Sequence, residues 1–220
     1  MILRKAGLLS VALFLFTGIS RSQDNRYDIG LNAGAVFSKQ SSGNGTTLTP
    51  TKAGAFIATA RVRFSPQSSI EVNYGRVKNS QMYVSGVVSG VADYRIQGLI
   101  SEFTGAYVFS FLQSDKLEPF VFGGGGVLVF NPSITQIDAI PSSIGARRQT
   151  KPAFLYGAGV DYKVFSILPI ISKFSLSSKV ALRLQYRGLV YKAPSFDVQN
   201  LFTGADGHMA EPSIGLVVKF

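Results

Sequence analysis

Hydrophobic side chains occur at every second position over much of this chain. In the last segment they fall at Ile214, Leu216, Val218 and Phe220, and mostly small or polar residues separate them. A spacing of two puts such side chains on one face of a β-strand. Seven earlier segments alternate in the same way, so the sequence predicts eight strands. These strands cover residues 27–38, 51–65, 69–79, 93–111, 118–131, 152–165, 179–192 and 213–220.

Two of the predicted strands are irregular. In the fourth, Tyr94 and Ile96 share a face, whereas from Leu99 onward the apolar side chains lie on the other face. Gly98 stands at this change of phase and predicts a β-bulge. The fifth strand contains four consecutive glycines, residues 123–126, and its faces are the hardest to assign. A phosphate-binding loop is the less favoured interpretation of this run, because no Lys-Ser or Lys-Thr follows it.

The connections between the predicted strands differ in length. The chain turns within a few residues after strands two and four, but long polar segments follow strands one, three, five and seven. The long segments are 39–50, 80–92, 132–151 and 193–210. Transmembrane β-barrels have this asymmetry, with short periplasmic turns and long external loops. Segment 166–178 is also long and rich in apolar residues, which suggests a hairpin extension or a segment at the periplasmic membrane surface.

The first residues have the pattern of a secretory signal. Arg4 and Lys5 precede an apolar run over residues 6–16, and small residues follow at Ser20 and Ser22. This arrangement predicts cleavage after Ser22. A membrane anchor fits less well, because a spanning helix needs about 20 apolar residues. The predicted domains are a signal peptide, 1–22, and one β-barrel domain, 23–220.

The composition narrows the function classes. Charged residues make up 15% of the chain, against about 25% in ordinary soluble domains. The chain has no cysteine, so disulfides and thiol chemistry are excluded. The net charge is +10, but the basic residues are spread along the chain. This distribution favours anionic outer-membrane lipids and lipopolysaccharide as partners rather than nucleic acid.

Alternation alone leaves open which face meets water. A soluble barrel of the lipocalin type would enclose the apolar set. The opposite set is dominated by Gly, Ala and Asn with a few charges, which is too sparse for a surface in water and suits the cramped interior of an eight-stranded barrel. We therefore predict an all-β fold, an eight-stranded antiparallel up-and-down transmembrane β-barrel in the bacterial outer membrane, with its bulky side chains toward lipid.

With that orientation, nine charged side chains point into the lumen. Buried charges are costly unless they are paired, so we predict an ion-pair network that plugs the barrel. The members are Asp28, Arg61, Arg63, Glu71, Glu102, Asp161, Lys163, Arg183 and Arg187.

Several motifs resemble those of the outer-membrane β-barrel domain family, which includes the transmembrane domains of OmpA and OmpX. They are Glu118-Pro119-Phe120 with the glycine run at 123–126, the segments 156–160 and 182–187, and the closing Phe220. The resemblance extends from about residue 27 to residue 220 and implies the eight-stranded barrel. It also implies that Phe220 acts as the signal by which the barrel-assembly machinery recognises this chain.

Candidate chemistry is sparse. His208 is the only histidine, which excludes a site with several histidine ligands, and we expect no metal and no cofactor. His208 could pair with Ser213 or Asp206 as a lipid A hydrolase site at the outer rim, but a solvated loop histidine is the simpler interpretation.

Two function hypotheses follow. The first is a non-enzymatic, monomeric surface barrel whose loops make adhesive or environmental contacts. The second is a small-solute pore or a lipid-modifying enzyme. The abundance of Ser, Thr, Gly and Asn in the loops favours the first.

Overall fold

The computed structural model describes residues 26–86, 92–112, 114, 116–164 and 180–219. The predicted signal peptide, segment 166–178 and Phe220 lie outside these residues. Within them the chain forms eleven strands. They are β1 (Tyr27–Ser38), β2 (Ser41–Gly43), β3 (Thr46–Pro50), β4 (Ala53–Arg63), β5 (Ser68–Ser85), β6 (Ala92–Ser110), β7 (Leu117–Ile137), β8 (Ile140–Pro141), β9 (Gln149–Lys163), β10 (Val180–Lys192) and β11 (Asp206–Lys219).

Eight of these strands close into a barrel. The antiparallel pairing runs from β1 through β4, β5, β6, β7, β9, β10 and β11, and β11 pairs with β1 again, with Asp28 opposite Lys219. The predicted eight-stranded antiparallel barrel is confirmed. Closure pairs every strand on both sides, so the barrel has no free sheet edge.

The two ends of the barrel differ. The start of β1, the end of β11 and the short turn 64–67 lie at one end, which we call the turn end. At the other end, the loop end, β5, β6 and β7 are 18, 19 and 21 residues long. A membrane-spanning strand needs only about 9–11 residues. These three strands therefore extend well past the apolar belt.

Several predicted loops are partly strands. The segment 39–50 contains the hairpin of β2 and β3, and β3 continues the sheet along β5. The segment 80–92 is mostly sheet, because β5 continues to Ser85 and β6 begins at Ala92. The segment 132–151 contains the end of β7, β8 and the start of β9, and β11 begins at Asp206. These boundaries were wrong because alternation continues through polar, Ser-rich sequence that resembles a loop in composition.

The bulky alternating side chains face outward. Leu31, Val72, Leu184 and Leu216 are each more than half exposed, although they lie in the middle of paired strands. The orientation predicted from the alternation is confirmed. A continuous exposed belt of this kind requires an apolar solvent, which the lipid bilayer supplies.

The predicted change of phase in the fourth strand is wrong. Ile96, Ile100 and Glu102 all lie inside the barrel, so β6 keeps one phase throughout. The apolar residues appear to change face only because the interior itself becomes apolar toward the loop end. A bulge does occur at Gly98, but the extra residue is Ser133 of β7, whose Oγ donates to the Gln97 carbonyl at 3.0 Å.

Candidate functional site

The middle of the lumen contains a quartet of ion-paired side chains. Arg183 of β10 binds Asp161 of β9 through Nε to Oδ1 at 2.7 Å and Nη2 to Oδ2 at 2.9 Å. Its Nη1 also lies 3.1 Å from Glu71 Oε2. The same Glu71 oxygen accepts from Nε and Nη2 of Arg61, at 3.0 and 2.8 Å. Glu71 therefore joins two arginines from opposite walls of the barrel.

Strand register explains these pairs. Arg61 lies directly opposite Glu71 in the β4–β5 ladder, and Arg183 lies directly opposite Asp161 in the β9–β10 ladder. Side chains at facing positions are close enough to pair. The ring of Phe120 contacts both arginines, with its centroid 4.4 Å from the Arg61 guanidinium carbon and 5.0 Å from that of Arg183. Cation–π contacts therefore add to the ion pairs.

A second group of ion pairs lies nearer the turn end. Arg63 Nη2 is 2.7 Å from Asp28 Oδ2, and its Nη1 is 2.5 Å from Glu118 Oε1. Lys219 Nζ is 2.7 Å from Glu118 Oε2 and 2.9 Å from Asp161 Oδ2. Asp161 therefore connects this group to the central quartet.

A third group lies toward the loop end. Arg187 forms an ion pair with Glu102, which also accepts a hydrogen bond from Thr104 Oγ1 at 2.7 Å. Arg187 Nη1 lies 3.1 Å from Glu211 Oε2. The two groups form an ion pair, but their geometry does not make a hydrogen bond. Two carboxylates thus share one guanidinium.

These three groups form one charged layer of the lumen, which is almost neutral. Its described members comprise five cations and six carboxylates. They are Arg61, Arg63, Arg183, Arg187 and Lys219, with Asp28, Glu71, Glu102, Glu118, Asp161 and Glu211. Near-balance explains how charged groups this deeply buried are tolerated.

The structure brings together eight of the nine predicted lumen residues. Lys163 stands apart: its Nζ donates to the Ser114 carbonyl at 3.1 Å, at the turn end. Lys163 is close to the end of β9, so its long side chain reaches the turn instead of the lumen.

Three members of the charged layer were missed from the sequence. Lys219 occupies the same face as Ser213, and that spacing could have identified it. Glu118 lies two positions before Phe120, on a strand whose faces were hard to assign. Glu211 stood next to the predicted loop 193–210 and outside the terminal strand as predicted, although it lies well inside β11.

Above the charged layer, the lumen is apolar. Side chains from five strands pack together there, with Tyr83, Ile96, Leu128, Phe130, Leu155 and Leu189 all buried. The interior predicted from the sequence was dominated by Gly, Ala and Asn with a few charges, and the size of this apolar cluster differs from that expectation. The outward face supplies the alternation signal, and most inward apolar residues escaped notice because they lie toward the loop end, although Phe120 and Val108 are buried nearer the turn end.

Residues 193–205, which we call the plug segment, close the loop end. Phe196 and Leu201 are buried in the apolar cluster. Tyr83 donates from its hydroxyl to the Pro194 carbonyl at 2.7 Å. Gln149 Oε1 accepts hydrogen bonds from the backbone N–H groups of Ser195 at 2.9 Å and Phe196 at 3.2 Å. Polar and apolar contacts together hold the plug segment in the barrel mouth.

Phe196 and Asp197 have φ angles of 53° and 60°, in the left-handed region. This conformation is uncommon for residues other than glycine and persists where surrounding contacts fix it. The Gln149 hydrogen bonds and the burial of the Phe196 ring supply those contacts.

Solved structures show the same architecture. A crystal structure of Neisserial surface protein A matches with a TM-score of 0.50 at 17% identity, covering 91% of this chain and 100% of that one. This chain has the eight-stranded outer-membrane β-barrel fold. OprG from Pseudomonas aeruginosa gives a TM-score of 0.49 at 14% identity over 89% of this chain and 96% of that one. Ail, the attachment invasion locus protein of Yersinia pestis, gives 0.45 at 13% identity over 89% and 99%.

No protein-family model and no curated protein sequence matches the chain. The fold and the apolar belt together place this protein in the bacterial outer membrane. In barrels of this kind the short turns face the periplasm and the long connections face outward. The turn end is therefore periplasmic, and the loop end is extracellular.

The lone histidine of the outer-membrane barrel lies on its outer wall. His208 Nε2 is 2.7 Å from the Tyr156 hydroxyl. Ser213 points into the lumen, on the other face of β11, and Asp206 forms an ion pair with Lys192 at 2.8 Å. The structure therefore does not bring His208 and Ser213 together on one face.

Within the residues that the structure describes, no helix has the length and apolar character needed to cross a membrane. No cluster of three or more His, Asp or Glu side chains in the same ranges is arranged to hold a metal ion.

Proposed function

We propose that this protein is a closed, non-enzymatic outer-membrane barrel that anchors a folded external surface for adhesive or environmental contacts. The proposal is carried by one observation: side chains fill both halves of the lumen. The charged layer spans the periplasmic half, and the apolar cluster with the plug segment fills the extracellular half. A solute would have to displace both.

The external part supports the surface role. The hairpin of β2 and β3 pairs with β5 beyond the apolar belt. Asn44 donates from Nδ2 to the Thr203 carbonyl at 3.3 Å, and Thr46 donates from Oγ1 to the Asn200 carbonyl at 3.1 Å. These bonds join the hairpin to the plug segment. The result is a structured platform, and structured surfaces bind partners at a lower entropic cost than mobile loops.

The first test is conductance in planar bilayers. We expect the purified wild-type barrel to give no large, stable open channel, while a known porin reconstituted in parallel conducts. A variant lacking residues 194–202 should also stay closed, because the charged layer still fills the periplasmic half. A large, stable conductance from the wild type would refute the closed barrel and favour the small-solute pore.

The second test concerns enzymatic activity. We expect the His208→Ala variant and the wild type to give the same lipid A acylation profile when produced in the same strain, with a strain lacking the protein as a reference. Loss of deacylated lipid A only in the variant and in the reference strain would show that the protein is a lipid-modifying enzyme.

The surface role itself is tested in cells. Deleting residues 41–49 removes most of the external hairpin and leaves the eight barrel strands in place. We expect attachment of producing cells to an epithelial cell layer to fall toward the level of a strain lacking the protein, while uptake of small nutrients stays unchanged. Unchanged attachment together with reduced uptake would contradict the proposal.

A further inference from the structure

A group of basic side chains lies on one side of the outer wall, near the extracellular membrane boundary. Arg76 and Lys78 are exposed on the outward face of β5, two positions apart. Arg95 of β6 is exposed as well, and its Nε donates to Ser80 Oγ at 3.3 Å. Its guanidinium therefore lies over the outward position that follows Lys78. Three cations thus form a row along β5.

Lys52 extends this row toward β1. Its neighbour Thr51 donates from the backbone to the Ser80 carbonyl at 2.9 Å. Lys52 Nζ lies 5.7 Å from the centre of the Phe37 ring, which is exposed on the outer wall. We call Lys52, Arg76, Lys78 and Arg95 the basic patch.

The basic patch has no counter-charge among the described residues. No carboxylate in those ranges lies within 4.0 Å of any of its four cations. The outward carboxylate of Asp93 stands two positions beyond Arg95 on β6 and forms no ion pair with it. On the opposite wall, by contrast, the exposed Lys192 forms an ion pair with Asp206 at 2.8 Å. Like charges at this spacing repel one another unless an anion lies between them.

Apolar side chains are exposed on the outer wall beside the basic patch and just below it. Phe56 pairs with Arg76 across the β4–β5 ladder and is about half exposed. Tyr74 and Phe103 follow toward the periplasm, with ring centroids 5.1 Å apart. The patch therefore lies at the boundary between the apolar belt and the polar exterior. A ligand that fits this boundary carries negative groups directly above acyl chains.

We propose that the basic patch binds the phosphate groups of lipid A in the outer leaflet. Arginine and lysine are the usual phosphate-binding side chains. The four side chains lie on the lipid-facing wall instead of on top of the loops. They are therefore better placed to contact a neighbouring lipid than to contact a soluble polyanion. The proposal depends on the orientation of the barrel in the membrane and not on a closed lumen, so conductance results do not affect it.

The test uses the full-length barrel in nanodiscs of zwitterionic phospholipid. Bis-phosphorylated lipid A and chemically dephosphorylated lipid A are each titrated into the discs, and the bound lipid is counted by native mass spectrometry. The test variant is Arg76→Gln/Lys78→Gln. The control is Lys116→Gln/Lys192→Gln, which removes the same charge at the turn end and on the opposite wall.

We expect the test variant to bind phosphorylated lipid A about 10- to 30-fold more weakly, since each cation near an anionic surface contributes about 1 kcal/mol. The control should change affinity by less than about threefold. Both pairs are exposed, so the variants should fold, and the heat-modified gel mobility of the barrel verifies this.

Four results would overturn the proposal. Equal binding of dephosphorylated lipid A would show that acyl contacts alone hold the lipid. Equal losses in the test and control variants would show a general charge effect. A heparin fragment that loses affinity in the test variant, while lipid A does not, would show that the patch binds soluble glycans. Displacement of lipid A by millimolar inorganic phosphate would mark the site as a simple anion site.

Discussion

Replacing Arg183 by methionine is expected to destabilise the barrel by about 3–5 kcal/mol. The guanidinium is fully buried and binds both Asp161 and Glu71. Removing one partner of a buried ion pair leaves the other charge uncompensated, which is among the most costly changes in a protein interior. Urea unfolding in phospholipid vesicles, followed by far-UV circular dichroism, measures the difference. Circular dichroism suits this chain because it has no tryptophan.

The matched control is Lys163→Met, which removes the same charge and adds the same side chain. Lys163 is at the turn end and makes one hydrogen bond to a backbone carbonyl, so we expect a change within about 0.5 kcal/mol. Combining Arg183→Met with Asp161→Leu should recover part of the loss, because the carboxylate that has lost its arginine partner is then gone as well. Equal effects of Arg183→Met and Lys163→Met would contradict the structural role of the quartet.

A single methyl group at Gly124 is expected to destabilise the barrel by about 3 kcal/mol. A Cβ atom at this position would be forced against the Gly105 carbonyl and would lie 2.6 Å from the Cα of Ala106, both in the backbone of β6. Backbone atoms in a closed ladder cannot move aside, so Gly124→Ala overpacks the β6–β7 contact. The expected result is a lower urea midpoint and a smaller folded fraction after refolding.

Gly123→Ala is the control for this change. Its added Cβ would face outward, with its nearest neighbour, the Leu155 carbonyl oxygen, at an ordinary 4.0 Å. We expect the stability of this variant to equal that of the wild type within about 0.5 kcal/mol. A neutral Gly124→Ala would show that β6 and β7 separate more easily than the structure indicates.

The alternation of side chains predicted the fold because the lipid-facing surface is uniform. Outward positions within the apolar belt meet hydrocarbon, so the sequence repeats the same preference in each strand, as at Leu31, Val72 and Leu216. The outward direction could be inferred as well, because the other face was too poor in charge to meet water. Strand ends were less predictable. Outside the membrane the pairing of β3 with β5 is stabilised by backbone hydrogen bonds, which any residue composition can supply.

The lumen was predictable only where it is charged. Arg61 and Glu71 stand out in a chain with few charges, and strand register then brings them together. The apolar half of the lumen carries no such signal, since Ile96 or Leu155 could face either hydrocarbon or an apolar interior. The burial of Phe196 could not be inferred either, because it depends on a hydrogen bond from the Phe196 backbone N–H to Gln149 Oε1, 47 residues away.

The way Glu71 joins opposite walls has a consequence for biogenesis. Glu71 meets Arg61 within one hairpin, but its contact with Arg183 spans 112 residues and forms only when the last strands arrive. A half-assembled sheet would expose Arg183 and Asp161 to hydrocarbon without some of the oppositely charged partners that they have in the closed barrel. Intermediates with only some strands paired are therefore less stable than the closed barrel. The final pairing of β1 with β11 should form in an all-or-none step.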